Sequence, residues 1–142
     1  MIEVFLLCLA LNIYHEGRGE PWQGQVAIAQ VTIRRAEFKA ENICKVVYAP
    51  QQFSWVDQKP PKPNYRSADW QYSLAIAKYA DLWMVYGIGE DYSKGASHYH
   101  ARYWKGKLLK PYWIKDMKKT VEWGNHLFYL EKTITQKLSL LL

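Results

Sequence analysis

A chain of 142 residues has room for one domain and little more, and its 49% hydrophobic and 23% charged residues exclude a disordered chain and permit a packed core. The formal charge of +6 and a pI near 9.2 favour polyanionic partners, whether nucleic acid, anionic lipid or an anionic cell envelope, without choosing among them. Aromatic residues reach 15%, with seven Trp and eleven Tyr; most are expected to pack the core, and the surplus to line a cleft where flat faces with polar edges stack on sugars or bases.

Residues 2–16 are almost continuously apolar and are read as a buried helix ending at Gly17. The run has no positive n-region and no small-residue cleavage site, and it is too short to span a bilayer, so no signal peptide is expected. Cys8, inside it, reads as a small buried hydrophobe. A bridge to Cys44, the only other cysteine, stays open, and two cysteines fit synthesis in a reducing compartment. Pro21 suits the first turn of a second helix over 23–38, with Val26, Ala29, Ile33 and Ala36 on one face. Asn42 is expected to cap a short helix over 43–48, stopped by Pro50. Residues 50–66 hold four prolines and read as a long, functional loop. Ser67 caps the next helix, with a stripe of Ala68, Tyr72, Ala75, Ile76, Tyr79, Leu82, Trp83 and Tyr86, and Gly87 closes it. Residues 97–103 alternate as a short strand, and Trp113 with 121–129 supplies a second extended segment. The expected architecture is therefore mainly α (α+β) with a small β element. Residues 1–130 form the one domain, and 131–142 a tail that docks as a short helix or frays. The lysines at 59–62 and 115–119 read as solvated faces.

The stretch HEGRGE, residues 15–20, carries two acids where the first helix must break. Glu16 on the last helical turn faces the negative end of the helix dipole and follows core residues. Both effects raise its pKa, which suits a general acid at neutral pH of the kind that protonates a glycosidic oxygen. Pairing with Arg18 or Arg34 is the plainer alternative; the glycines at 17 and 19, which let a substrate approach the backbone, weigh against it. Glu20, before Pro21 at the start of the second helix, should stay ionised and act as a cap, with a sugar hydroxyl or Arg18 as further partners. In GASHYHARYW, residues 95–104, His98 and His100 fall on one face of a strand and Tyr99 on the other. A zinc site would need His126 or His15 as well, and the chain has no HExxH or cysteine pair, so polar histidines in a sugar cleft explain the same residues. Gln52, Ser54 and Trp55 offer an amide, a hydroxyl and a stacking face. In the stretch 122–129, Trp123 and Phe128 read as core, with Asn125 and His126 reaching the cleft. Neither a phosphate-binding glycine loop nor a nucleophilic serine elbow is present.

Taken in order, NIYHEGRGEP (12–21), GQVA (24–27), AQV (29–31), ICKVVY (43–48), QFSW (52–55), GASHYH (95–100) and GNHLFY (124–129) resemble the cell wall hydrolase family typified by the spore-cortex-lytic enzymes, found also in phages. The resemblance implies a compact lysozyme-like or lytic-transglycosylase-like fold and peptidoglycan as substrate; with the metal signal of the residues weak, no cofactor or metal is expected. It carries the family's catalytic acid, the first Glu of E-x-R-G-E, onto Glu16. Glu20, Gln52, Ser54, Trp55, His98, Tyr99, His100, Asn125 and His126, read above from their own chemistry, are the expected substrate-binding residues. Members that lack a second catalytic carboxylate act as lytic transglycosylases; Asp57 and Asp69 are the spare acids here, each without supporting context. Gly17 stands where many relatives have alanine. The expected absence of a signal peptide and of a wall-binding domain points to a monomeric phage endolysin. Such a protein is made in the host cytoplasm, released by a holin and drawn to the anionic envelope by its charge. Two competing readings are a zinc amidase using His98, His100 and His126, and, far behind, a basic aromatic nucleic-acid binder, so no nucleic acid is expected as partner.

Overall fold

Helix α2 (Trp22–Arg35) has no solvent side over most of its length: Gly24 through Ile33 are all buried. Val26, Ala29, Ile33 and Ala36, the face expected from their spacing, join a cluster with residues of α1 (Val4–Gly17), α3 (Ala40–Tyr48) and α5 (Ala68–Tyr86). Ala27, Ile28 and Val31 point the other way and pack on Ala96 and Phe128. One helix thus separates a helical layer from a sheet, and small side chains on both its faces permit the close approach. This is a computed structural model, describing residues 2–50 and 52–132. The tail from residue 133 lies outside the described residues.

After α5 the chain becomes β. Strands β1 (His98–Ala101), β4 (Met117–Trp123) and β5 (His126–Glu131) form an antiparallel sheet in the order β1-β5-β4. Strands β2 (Tyr103–Trp104) and β3 (Lys107–Leu108) make a separate two-stranded ribbon. The result is a compact α+β fold, mainly helical, as expected. Among the described residues no helix is long and apolar enough to cross a membrane.

Several local expectations hold. Helix α1 ends at Gly17. The Ser67 hydroxyl accepts from Trp70 N at 3.2 Å, and Gly87, at φ +68°, closes α5. Others are corrected. Helix α3 begins at Ala40, so Asn42 lies within it and donates to the Ala36 carbonyl at 3.2 Å instead of capping. The proline-rich segment contains a short helix, α4 (Ser54–Gln58), in the gap between Pro50 and Pro60. Trp113 sits in a 3-10 turn (Tyr112–Asp116), not a strand. The buried side of α5 is Trp70, Ser73, Leu74, Ile76, Ala77 and Ala80, while Tyr72, Leu82 and Tyr86 face solvent. Both faces of that helix carry apolar residues. The face with Ser73, Ala77 and Ala80 wins because α1 can approach it closely, whereas a tyrosine stripe would hold the helices apart.

Cys8 is buried as expected, but it is disulfide-bonded to Cys44, joining α1 to α3 across 36 residues. Packing of α1 on α3 brings the two Cα atoms to 5.3 Å, within disulfide reach. The bridge that the sequence left open is therefore formed, and Cys8 is a bonded half-cystine within the core rather than only a small hydrophobe.

Candidate active site

A cavity of about 730 Å³ opens where the end of α1, helix α4, strand β1 and the β2–β3 ribbon meet. Glu16, Glu20, Gln52, Ser54, Trp55, Tyr99, His100, Asn125 and His126 all line it. Nine of the ten residues singled out in the sequence therefore come together, from four separate stretches of chain. His98 does not line it: its Nδ1 lies 2.8 Å from the Ser97 hydroxyl and its ring packs on Trp113 at 5.4 Å.

Glu16 sits half-buried on the last turn of α1. Neither arginine offered by the sequence reaches it. Arg18 lies over the Tyr14 ring at 4.4 Å, and Arg34 pairs with Asp91 at 2.8 Å. The Glu16 partner is the Tyr99 hydroxyl, which donates to Oε1 at 2.8 Å. Burial pushes the Glu16 pKa up; the Tyr99 hydrogen bond and the nearby His126 pull it back only in part, so it stays above the ordinary carboxylate value. Burial and the adjacent Glu16 drive the Tyr99 pKa well up, so the hydroxyl keeps its proton and remains a donor.

Glu20 behaves in the opposite way. Burial works to raise its pKa, but His126, 3.1 Å away through Nδ1, and the Asn125 amide, donating to Oε2 at 3.0 Å, outweigh it and hold the carboxyl below the ordinary value. Gly124, at φ +56°, makes this possible: a Cβ there would overlap Glu20 Oε2. Two carboxyls four residues apart are thus driven in opposite directions, the pattern that separates an acid from a permanent anion.

The opposite wall comes from α4. Trp55 donates through Nε1 to Asn12 Oδ1 at 2.8 Å and stacks on His15 at 4.4 Å. Asn12 is fully buried and donates in turn to Thr32 Oγ1 at 3.2 Å. Ser54, Asp57 and Gln58 add polar groups from the same helix. Gln52, at the mouth, accepts from Arg35. The Asn125 side chain faces the cavity rim with its amide engaged: Nδ2 donates to the Tyr103 carbonyl at 2.9 Å and Oδ1 accepts from Tyr103 N at 3.1 Å.

The histidines do not form a cluster. His98 pairs with Tyr129, Tyr99 with Phe128 and Ala101 with His126 across β1 and β5. Side chains alternate along a strand. His98 and His100 therefore lie on one face, and His126 lies with Tyr99 on the other. Both ring nitrogens of His100 are engaged, with the Ala101 carbonyl at 2.8 Å and the Tyr129 hydroxyl at 3.1 Å. Among the described residues no group of three or more His, Cys, Asp or Glu is arranged to hold a metal.

Sequence reasoning passed over His15, Tyr103, Trp104 and Leu109 as wall residues, and Asn12, which holds Trp55 from behind the wall. Asn12 and His15 stand in the same motif as Glu16, a usable signal. The ribbon residues carried none, because no letter pattern tells which hairpin folds over a cleft. Asp57 lines the cavity; Asp69, in the first turn of α5, does not.

A mainly helical α+β fold that holds a half-buried, raised-pKa glutamate in an aromatic cleft has the features of an enzyme active site. A sequence model of the Cell Wall Hydrolase family matches residues 19–129, and the chain belongs to that family. The matched stretch includes Glu20, Tyr99 and His126, and Glu16 stands three residues ahead of it. No curated protein and no solved structure matches the chain significantly. Membership makes the protein an enzyme that degrades the cell wall, with peptidoglycan as its substrate.

Proposed function

We propose that this protein cuts the glycan strands of peptidoglycan between N-acetylmuramic acid and N-acetylglucosamine, as a lytic transglycosylase with Glu16 as acid and then base. The observation that carries the reading is the Glu16 carboxyl itself: half-buried in the cavity, raised in pKa and oriented through one oxygen by Tyr99. With Oε1 accepting from Tyr99, the other oxygen is left to carry the proton. That proton passes to the glycosidic oxygen as the bond to C1 breaks. The positive charge developing at C1 meets the cavity's permanent anion, Glu20, and the newly formed Glu16 carboxylate. Glu16 then takes the proton of the muramic 6-hydroxyl as that oxygen closes onto C1. The ring-closed product contains no added water. Trp55, Gln52 and Ser54 are read as sugar-contacting groups, and the helical layer with a glutamate at a helix end as lysozyme-like.

Lysozyme-type hydrolysis is the second reading, favoured by Asp57, an exposed carboxylate on the same cavity. A role as a phage endolysin belongs to the proposal as well. The charge of +6 supports attraction to an anionic envelope, and the Cys8–Cys44 bridge suits action outside a reducing cytoplasm.

The test is a mass spectrum of purified peptidoglycan after digestion. Anhydro-muropeptides support the transglycosylase. Reducing-end muropeptides replace it with the hydrolase and make Asp57 the residue to mutate. Free stem peptides with intact glycan would overturn both.

A further inference from the structure

We propose that the β2–β3 ribbon is a recognition arm for the acidic stem peptide that hangs from muramic acid beside the bond being cut. The proposal rests on the glycan-cleaving reading above. Tyr103 and Trp104 line the cavity while remaining 52% and 49% exposed, so their rings face a space that nothing in the protein fills. In the ribbon register Trp104 stands opposite Lys107, and opposed residues share a face. Lys105 lies over the Trp104 ring at 4.4 Å. One indole thus has Lys105 over its ring and Lys107 as its cross-strand neighbour.

The arm is held in place. Lys105 and Gly106 both have positive φ, +51° and +76°, as a tight two-residue hairpin turn requires. At its base Arg102 N donates to the Asn125 carbonyl at 2.6 Å, and the Asn125 amide clasps both backbone groups of Tyr103. Asn125 is in turn held by Glu20. The ribbon is therefore fixed to a carboxylate that lines the same cavity as Glu16.

Charge selects the ligand. Arg102 and Lys119 are both spent on Glu122. Lys105 and Lys107 are exposed and have no carboxylate partner among the described residues. The facing wall, α4, presents Asp57 to the cavity. A muramic residue seated near Glu16 must direct its 3-O-lactyl peptide out along one wall or the other. A peptide with free carboxylates is repelled by the α4 wall and attracted by the ribbon, where the Trp104 face also covers its aliphatic parts. The ligand is thus a peptide-bearing, anionic glycan.

Binding of two soluble, teichoic-acid-free glycan fragments of equal length tests this, one with stem peptides and one stripped of them. Calorimetry with the wild type should give about tenfold tighter binding of the peptide-bearing fragment, the size expected of two exposed charge pairs. The K105E/K107E double variant should lose that preference and keep its melting temperature. Equal binding of both fragments by the wild type, or a preference that survives charge reversal, overturns the proposal. So does tighter binding of a polyglycerol phosphate than of the peptide-bearing fragment, which would make the ligand a phosphodiester. Cleavage is scored on the same fragments. Cutting without preference sinks the arm alone, and preference without glycan cutting sinks the bond assignment alone.

Discussion

The Tyr99 hydroxyl donates to Glu16 Oε1 at 2.8 Å, joining the first strand of the sheet to the last turn of the first helix. This contact orients the glutamate and stabilises its charged form, against a larger effect of burial that favours the protonated form. Tyr99→Phe keeps the ring and removes the hydroxyl that bonds Glu16 and Asn12, so the Glu16 pKa should move further up. A general acid is lost as pH rises through its pKa. The basic limb of the kcat/KM profile should therefore shift to higher pH in the variant. Turnover should also fall, by about ten- to a hundredfold, because the carboxyl loses its orientation. A pH-rate profile of both proteins measures this, and an unmoved basic limb would count against the coupling.

Glu20 predicts a stability effect with the reverse pH dependence. Its folded pKa lies below its unfolded value, so its contribution is present above the unfolded value of about 4.3 and is lost as pH falls through the folded one. Glu20→Ala should cost on the order of 1–2 kcal/mol near pH 7, since it strands the Asn125 amide and removes the His126 partner. The gap to wild type should close in acid. Urea melts at pH 7 and pH 3 check this, and a gap of equal size at both would show the carboxylate charge to be irrelevant.

The bridge between Cys8 and Cys44 closes a loop of 36 residues. Chain entropy assigns such a loop about 4 kcal/mol. Reduction, or Cys44→Ser, should lower the melting temperature markedly, with α1 and α3 losing their covalent tie. Thermal melts with and without dithiothreitol check this, and coincident melts would mean that the bridge does not stabilise the fold.

Much of the helical layer could be read from residue spacing, and the cleft residues from their types and motifs. The α2 face of Val26, Ala29, Ile33 and Ala36 is the one packed on the other helices, because small apolar residues at helical spacing leave little choice. Glu16 was legible from its place at the end of a buried run, where dipole and burial act in the same sense. The α5 stripe was misread because its tyrosines and leucines mark two faces equally well, and only the shape of α1 decides between them. The disulfide, the Glu16–Tyr99 contact and the separation of His126 from His98 and His100 all depend on long-range register. No local pattern carries that information.

The central claim is that the Glu16 carboxyl performs the acid step. Its most direct test is turnover of purified glycan strands by the wild type and by Glu16→Gln. The glutamine retains an oxygen to accept from Tyr99 and removes only the transferable proton. Because the folded pKa of Glu16 is raised, ionisation costs stability as pH rises from the unfolded value toward the folded one. The variant should therefore melt at or above the wild-type temperature at pH 7. With the fold thus intact, turnover should drop by about 10²–10⁴-fold. Activity within tenfold of wild type in the folded variant would contradict the account and move the acid to another side chain.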